Sequence, residues 1–423
     1  MSTLKGNCLV AQSGGPTSVI NASACGVVQE AFKTGEIQEV YGALHGVAGI
    51  LKEEIFSFNY ELPEEIELLK VTPAAALGSC RYKLKSIENG EEDFKRIIEV
   101  FKAHNIRYFF YIGGNDSMDT AYKVSVYAQR VGYDLKSVGV PKTVDNDLPV
   151  TDHTPGYGSV AKFIATSIKE VGLDARVYDY PTVTICELMG RNAGWITASA
   201  AMAKGVEDDA PHYIYLPEVP FSFDKFGEDV NTALKKYNYA VVAVSEGIKN
   251  AEGQYIAELV DPNIQKDSFG HVQLGGACEV LQSYVSKNIC KKVRSVNYST
   301  IQRSAAHCAS LTDNEEAYLC GQMAVRYAVE GHTGKMVGLF REPGKHYKCS
   351  TQLVDLDDVA NMEKKLPREW INEEGNYVNQ QVIDYIGPLI NGEVKIRMES
   401  GIPRYARLNK KMVGKKLGAW EQK

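Results

Sequence analysis

The stretch Arg107-Tyr-Phe-Phe-Tyr-Ile112, followed at once by Gly113-Gly-Asn-Asp-Ser117, decides the fold. A short, unbroken aromatic and apolar run without alternation predicts a strand covered on both faces. The glycine pair ends that strand, and Ser117 to about Arg130 then carries a helical period. The same unit recurs on either side. Cys8-Leu-Val-Ala11 predicts a strand and Ser18 to Phe32 the helix after it. Ser137-Val-Gly-Val140 predicts a third strand. Thr182-Val-Thr-Ile-Cys186 predicts a fourth, with a helix from about Ala193 to Ala203. Tyr213-Ile-Tyr-Leu216 and Ala240-Val-Val-Ala-Val244 add two more. Strands separated by helices imply right-handed crossovers and a mainly parallel sheet, hence an α/β protein.

The balance of residues narrows the function. At 423 residues, 44% hydrophobic and 24% charged, the chain is a folded protein of two or three units rather than a disordered one. A net charge of −6 argues against a nucleic-acid wrapper and leaves room for a local cationic pocket. No apolar run approaches the ~20 residues of a membrane span, and the amino terminus enters a strand pattern without an apolar leader. The nine cysteines, Cys8, Cys25, Cys80, Cys186, Cys278, Cys290, Cys308, Cys320 and Cys349, show no C-x2-C spacing. They are expected to be reduced core thiols of a cytoplasmic protein.

In parallel sheets ligands bind beyond the carboxyl ends of the strands. Five polar clusters fall there: Ser13-Gly-Gly-Pro-Thr17, Gly113-Gly-Asn-Asp-Ser117, Pro141-Lys-Thr-Val-Asp-Asn-Asp147, Glu187-Leu-Met-Gly-Arg-Asn192 and Ser245-Glu-Gly247. Glycines in the first two would let backbone N–H groups approach an anion, with a helix start behind each. A bare structural turn is the alternative for either loop alone. Neither a Walker A sequence nor G-x-G-x-x-G is present. Asp145 and Asp147 lie two apart, so an extended loop would aim them the same way. One carboxylate could take a proton while the other binds a metal or orients the first. A polar turn whose side chains cap backbone groups is the structural alternative. Lys142 adds a cation, and lysine, aspartates and a glycine-cradled anion together are the parts of phosphoryl transfer. Arg81, Arg191, Arg294 and Arg303 offer forks that match phosphate oxygens, and Glu246 can accept from sugar hydroxyls.

The ordered set S-G-G, G-S-C-R, G-G-N-D-S, P-K-T-V-D-N-D, M-G-R-N-A-G-W, S-E-G and R-x8-R, running from about Ala11 to Arg303, resembles the phosphofructokinase family. The resemblance implies two Rossmann-like three-layer α/β/α domains facing across a cleft. It also implies transfer of a phosphoryl group to O1 of fructose 6-phosphate, with Mg2+ as cofactor. Position by position, it implies that Gly14, Arg81, Gly114 and Lys142 bind the donor phosphates. Asp145 becomes the proton acceptor, with Lys142 and Asp116 beside it. Thr143, Val144, Asp145, Asp147, Met189, Gly190, Arg191 and Glu246 contact the sugar phosphate. Arg294 and Arg303 hold its 6-phosphate, one of them from a neighbouring subunit of a homodimer or homotetramer.

Two positions bear on the donor. ATP-using relatives usually carry glycine where this chain has Asp116 and Lys142. Two unit charges 4 Å apart interact by roughly 4 kcal/mol at an effective dielectric near 20, and about 1.4 kcal/mol is tenfold in affinity. A carboxylate at 116 therefore suffices to exclude ATP, and Lys142 supplies charge beside pyrophosphate. The pair resembles the pyrophosphate-dependent branch. An ATP-dependent sugar-phosphate kinase and a catalytically silent regulatory subunit that binds sugar phosphates are the rivals, and sedoheptulose 7-phosphate is a conceivable additional acceptor. The chain also departs from the family. Asn115 stands where a magnesium-binding aspartate is common, so the metal falls to Asn115 with help from Asp116 or water. Thr182 and Thr300 stand where an arginine and a histidine of the 6-phosphate grip would be, with Lys162 as a substitute cation.

The domains expected are 1–155 with about 300–345 for the donor and 156–299 for the sugar phosphate. Residues 346–423 are expected as a helical or irregular extension packed on the domains. Within it, the basic stretch Leu408 to Leu417 reads as a solvated face or frayed end.

Overall fold

The computed structural model describes residues 4–259, 275–360 and 362–420. Besides a two-residue hairpin, Met398–Glu399 with Ile402–Pro403, its strands are β1 (Gly6–Gln12), β2 (Ile37–Ala43), β3 (Ile55–Ser57), β4 (Ile106–Gly113), β5 (Lys136–Pro141), β6 (Thr182–Leu188), β7 (Tyr213–Tyr215), β8 (Tyr239–Ser245), β9 (Val293–Asn297), β10 (Lys335–Arg341) and β11 (Cys349–Asp355). They form a seven-stranded sheet in the order β11-β10-β5-β4-β1-β2-β3 and a four-stranded sheet in the order β7-β8-β6-β9. The first sheet is parallel except for its two edges, where β3 and β11 run antiparallel to their neighbours. The second is wholly parallel.

The decisive stretch becomes β4, in the centre of the first sheet. Successive side chains point to opposite faces. Phe109 and Tyr111 enter one core with Ile97, Ile98 and Phe101 of the helix Glu91–Ala103. Tyr108, Phe110 and Ile112 enter the other, under the helices Ile20–Ala31 and Leu311–Val329. Those two helices approach closely because glycines lie at their contact. A Cβ on Gly26 would sit 2.1 Å from the Tyr318 carbonyl oxygen, and one on Gly321 equally far from that of Ser23. The long helix Tyr157–Ala175 covers the second sheet, where Val160, Ile164 and Ile168 meet Cys186, Val241 and Ile214. Asp313, buried at the start of the 311–329 helix, accepts the Gly156 and Ser159 N–H groups at 2.8 and 2.9 Å. It ties the two halves together. All nine cysteines are free thiols, and among the described residues no helix is long and apolar enough to cross a membrane.

Three expectations need correction. The 193–203 helix is a single α-turn, Trp195–Ala198, continued by 3-10 turns over Ser199–Ala203. The last 78 residues are not wholly outside the sheets, because β11 begins at Cys349 and extends the first sheet. The basic tail is not frayed. Its Val413 N–H reaches the Ile55 carbonyl at 2.8 Å and the Lys411 carbonyl takes the Ser57 N–H at 3.0 Å. Glu61 accepts the Asn409 and Lys410 N–H groups, and Glu53 those of Lys416 and Leu417. Glu53 and Glu61, both nearly excluded from solvent, gain backbone donors where an unpaired carboxylate could not stay. Charge composition misread a segment whose lysines face water while its main chain is sewn down.

Candidate active site

Strand order in the first sheet reverses between β1 and β4, which are neighbours with separate outward windings. Loops diverge there and leave a crevice. Gly14 in the loop after β1 has φ +76°, a conformation costly for other residues. A Cβ on it would stand 3.3 Å from Lys142 Nζ, and one on Gly15 3.0 Å from Arg303 Nη1. The glycines thus hold open the space into which two cations point. Lys142 Nζ donates to the Gly15 carbonyl at 2.7 Å. Burial is the main force pushing its ammonium down, to about 8, with Arg303 and Arg81 adding repulsion and Asp145 and Asp147 opposing. Arg303 is likewise depressed by burial and by Arg81. Cations that repel one another around a glycine loop form a site for an anion.

Gly114 precedes the helix Asn115–Arg130, whose amino end faces the same crevice beside Lys142 and Thr143. Asp116, on its first turn, pairs with Lys83 at 2.9 Å. That ion pair occupies one of the two Asp116 carboxylate oxygens.

The Asp145–Asp147 turn follows β5. The Asp145 N–H donates to Thr143 Oγ1 at 3.1 Å. Asn146 takes φ +55° and is buried. Its amide donates to Tyr385 Oη at 2.8 Å and accepts from the Thr154 N–H at 3.1 Å, so the reversed residue is fixed from both ends. Burial raises Asp145 above its ordinary range against the pull of Lys142, Arg191 and Arg303. Asp147 is pushed up to about 7, by burial first and then by the charge of Asp145. Asn115 Nδ2 donates to Asp147 Oδ2 at 3.2 Å, whereas Asn115 Oδ1 and Asp147 Oδ1 are buried without a hydrogen-bond partner. Orphaned oxygens on two side chains that are hydrogen-bonded to each other suit a hard divalent cation. The donor set fits magnesium.

The second sheet contributes loops after β6 and β8. The Met189 N–H donates to Gln302 Oε1 at 3.1 Å. The Gly190 carbonyl accepts from Ser245 Oγ at 2.6 Å, and the Glu246 N–H donates to the Leu188 carbonyl at 2.9 Å. These bonds seat Met189, Gly190, Arg191 and Glu246 side by side. Glu246 is pushed up to about 7 by burial and then by Asp145, with Arg191 opposing. Arg191 Nε is buried and unpartnered. Thr143 is buried, and Val144 enters the core of the second sheet, so this short turn joins the halves.

The sequence-predicted residues therefore converge, with two exceptions. Arg294 lies at the outer surface, bonded to Asp174 at 3.1 Å and Tyr178 at 3.2 Å. Its register partner is Thr184, near the start of β6, far from the strand ends that face the cleft. Lys162 bonds the Gly392 carbonyl at 2.6 Å and Glu393 at 2.7 Å, so it is spoken for by the C-terminal segment rather than available as a substitute cation. Thr182 begins β6 and bonds the Ala175 carbonyl, and Thr300 precedes the short helix Ile301–Ser304. Sequence reading missed Lys364, Glu363 and Tyr385. No motif marks them; their only signal is chain length beyond the recognisable blocks.

The phosphofructokinase family model matches residues 7–296. The chain belongs to the phosphofructokinase family. Among its relatives, the pyrophosphate--fructose 6-phosphate 1-phosphotransferase of Halomonas elongata is 43% identical over 97% of this chain and 98% of its own. That of Xanthomonas campestris is 44% identical over 98% and 99%. The crystal structure of a pyrophosphate-dependent phosphofructokinase from Nitrosospira multiformis is 40% identical, covers 99% of this chain and 100% of its own, and superposes with a TM-score of 0.90. The two-sheet α/β arrangement and the facing loops are those of this phosphofructokinase fold.

Proposed function

We propose that this phosphofructokinase transfers a phosphoryl group from pyrophosphate to O1 of fructose 6-phosphate, giving fructose 1,6-bisphosphate and phosphate. One observation carries the choice of donor. The Lys142 ammonium is seated on the Gly14–Gly15 loop, where it neutralises a small inorganic anion that has no nucleoside to anchor it. The full-length similarity to enzymes named for pyrophosphate supports the same choice.

The chemistry follows from the residues. Asp145, ionised, accepts the proton of the sugar's 1-hydroxyl as that oxygen bonds the terminal phosphorus. The bridging P–O bond breaks and phosphate leaves with the electron pair. Lys142, Arg81 and the amino end of the 115–130 helix meet the charge on the departing group. Arg191 and Glu246 orient the sugar phosphate, and Arg303, which borders the donor loop at Gly15, is assigned its 6-phosphate. In this assignment the first sheet binds the donor and the second the acceptor. Asn115 and Asp147 would hold magnesium, which when bound supplies positive charge to the diphosphate oxygens. Arg294 is paired with Asp174 and Tyr178 outside its own cleft and takes no step in this assignment; the protein is read as a cytoplasmic homodimer or homotetramer. Initial rates with pyrophosphate and with ATP, each with fructose 6-phosphate and magnesium, test the proposal. Turnover with pyrophosphate supports it. Turnover with ATP alone, or with neither, refutes it.

A further inference from the structure

The segment Glu363-Lys-Lys-Leu366 lies more than 200 residues beyond the Asp145 turn in sequence and touches it in space. Lys364 divides the polar groups of its main chain between that turn and the second-sheet segment. Its N–H donates to the Asp147 carbonyl at 2.7 Å, and its carbonyl accepts from Trp195 Nε1 at 2.9 Å. Its ammonium donates to the Asp152 carbonyl at 2.7 Å and the Thr151 carbonyl at 3.2 Å, and stands 5.4 Å from the centre of the Trp195 ring. One residue thus holds the 147–152 turn at three points and the second-sheet segment at a fourth.

Its neighbours do the same on a smaller scale. Glu363 accepts from Asn192 Nδ2 at 2.8 Å, next to Arg191. The Leu366 N–H shares Glu218 Oε1 with that of Gly194, at 3.1 and 2.8 Å. An ordinary surface lysine lays its stem on apolar surface and keeps its head in water. This head is instead met by backbone carbonyls, and its charge acts through space on Asp152 and Asp147.

We propose that Lys364 is a positioning residue for phosphoryl transfer. Its main chain and ammonium set the Asp145–Asp147 turn against the second-sheet loop, so that the base and its neighbour meet both substrates in register. This rests on the function proposed above. A misplacement near 1 Å costs about 100-fold in rate. Lys364→Met in the full-length protein is therefore expected to lower kcat about 10- to 100-fold, while KM for fructose 6-phosphate moves less than about threefold. The substitution removes the ammonium's bonds to the Asp152 and Thr151 carbonyls and leaves the main-chain bond to Asp147 in place. Amide hydrogen exchange over residues 143–153 quickens, while that of the 20–31 helix does not change. Lys364→Arg, which keeps charge and donors, recovers part of both kcat and protection. A Lys364→Met enzyme with kcat within twofold of the parent and unchanged exchange overturns the proposal. So does one that merely melts earlier yet turns over normally below its melting point. If the parent shows no turnover with pyrophosphate but the exchange difference appears, the function falls and the clamp stands. If turnover is normal and exchange does not respond, the clamp falls and the function stands.

Discussion

Two regions grip the Asp145–Asp147 turn, and they differ in how they do it. The glycine loops after β1 and β4 come from the first third of the chain and act through missing side chains, a helix end and the cations they admit. The 363–366 segment comes from the last sixth and acts through main-chain bonds and one ammonium. The first region makes the place where charge is transferred. The second sets the geometry in which transfer occurs. A site can owe its charge to short motifs and its register to a segment that has none.

The comparison breaks most easily at the turn itself. Asp145→Asn keeps shape and removes the base, so kcat is expected to fall about 10³-fold, within the range for a lost general base, with an unfolding midpoint no lower than the parent's, because a buried carboxylate is removed. Stopped-time assays of fructose 1,6-bisphosphate formation check it, and a loss below tenfold would contradict the assigned role. Lys142→Met removes charge from the donor side only. It should cost about 10² in kcat/KM for pyrophosphate, with KM for fructose 6-phosphate little changed.

Titration sharpens the contrast at roughly tenfold per pH unit. Asp147 and Glu246, each raised to about 7, and Asp145, raised with them, protonate as pH falls, so kcat/KM declines below about 7. Lys142, depressed to about 8, loses its charge as pH rises, so kcat/KM for pyrophosphate declines above about 8. The expected profile is a narrow bell, and Lys142→Met should erase only its alkaline side.

The smallest effect concerns stability, away from the chemistry. His153 is buried between Asp152 at 2.8 Å and Glu316 at 2.6 Å, and these carboxylates hold its imidazolium up to about 9 against burial. A raised folded value means the stabilisation is complete below about 6.5 and is lost as pH rises through about 9. Thermal unfolding midpoints should therefore fall between pH 7 and 9.5, a loss on the order of 1–3 kcal/mol, and His153→Gln should flatten that slope. A flat parent profile would contradict the pairing.

Much of this was legible in the sequence because its chemistry is local. Buried parallel strands are unbroken apolar runs, so Ile106–Gly113 and Tyr239–Ser245 could be read directly. Gly14, Lys142, Asp145, Arg191 and Glu246 sit at strand ends, and a strand end in a parallel sheet is a cleft position. What could not be read depends on distant partners. Edge strand β11 is half exposed and, among the described residues, pairs with β10 on one side. The tail 404–420 is held by glutamates more than 300 residues away. Arg294 and Arg303 share one motif, yet only Arg303 enters the cleft, because the strand register turns the other outward. Lys364 is one lysine among many until Asp147 and Trp195 are seen beside it.

The central claim is that Lys142 on the glycine loop, with Asp116 standing where ATP-using relatives carry glycine, reserves the donor site for inorganic diphosphate. The ratio of kcat/KM for pyrophosphate to that for ATP, in the parent and in the Asp116→Gly, Lys142→Gly double variant, tests it most directly. The ratio should favour pyrophosphate strongly in the parent and collapse by at least about 100-fold in the variant, chiefly through lost pyrophosphate activity. A double variant that keeps the parent's rate with pyrophosphate would contradict it.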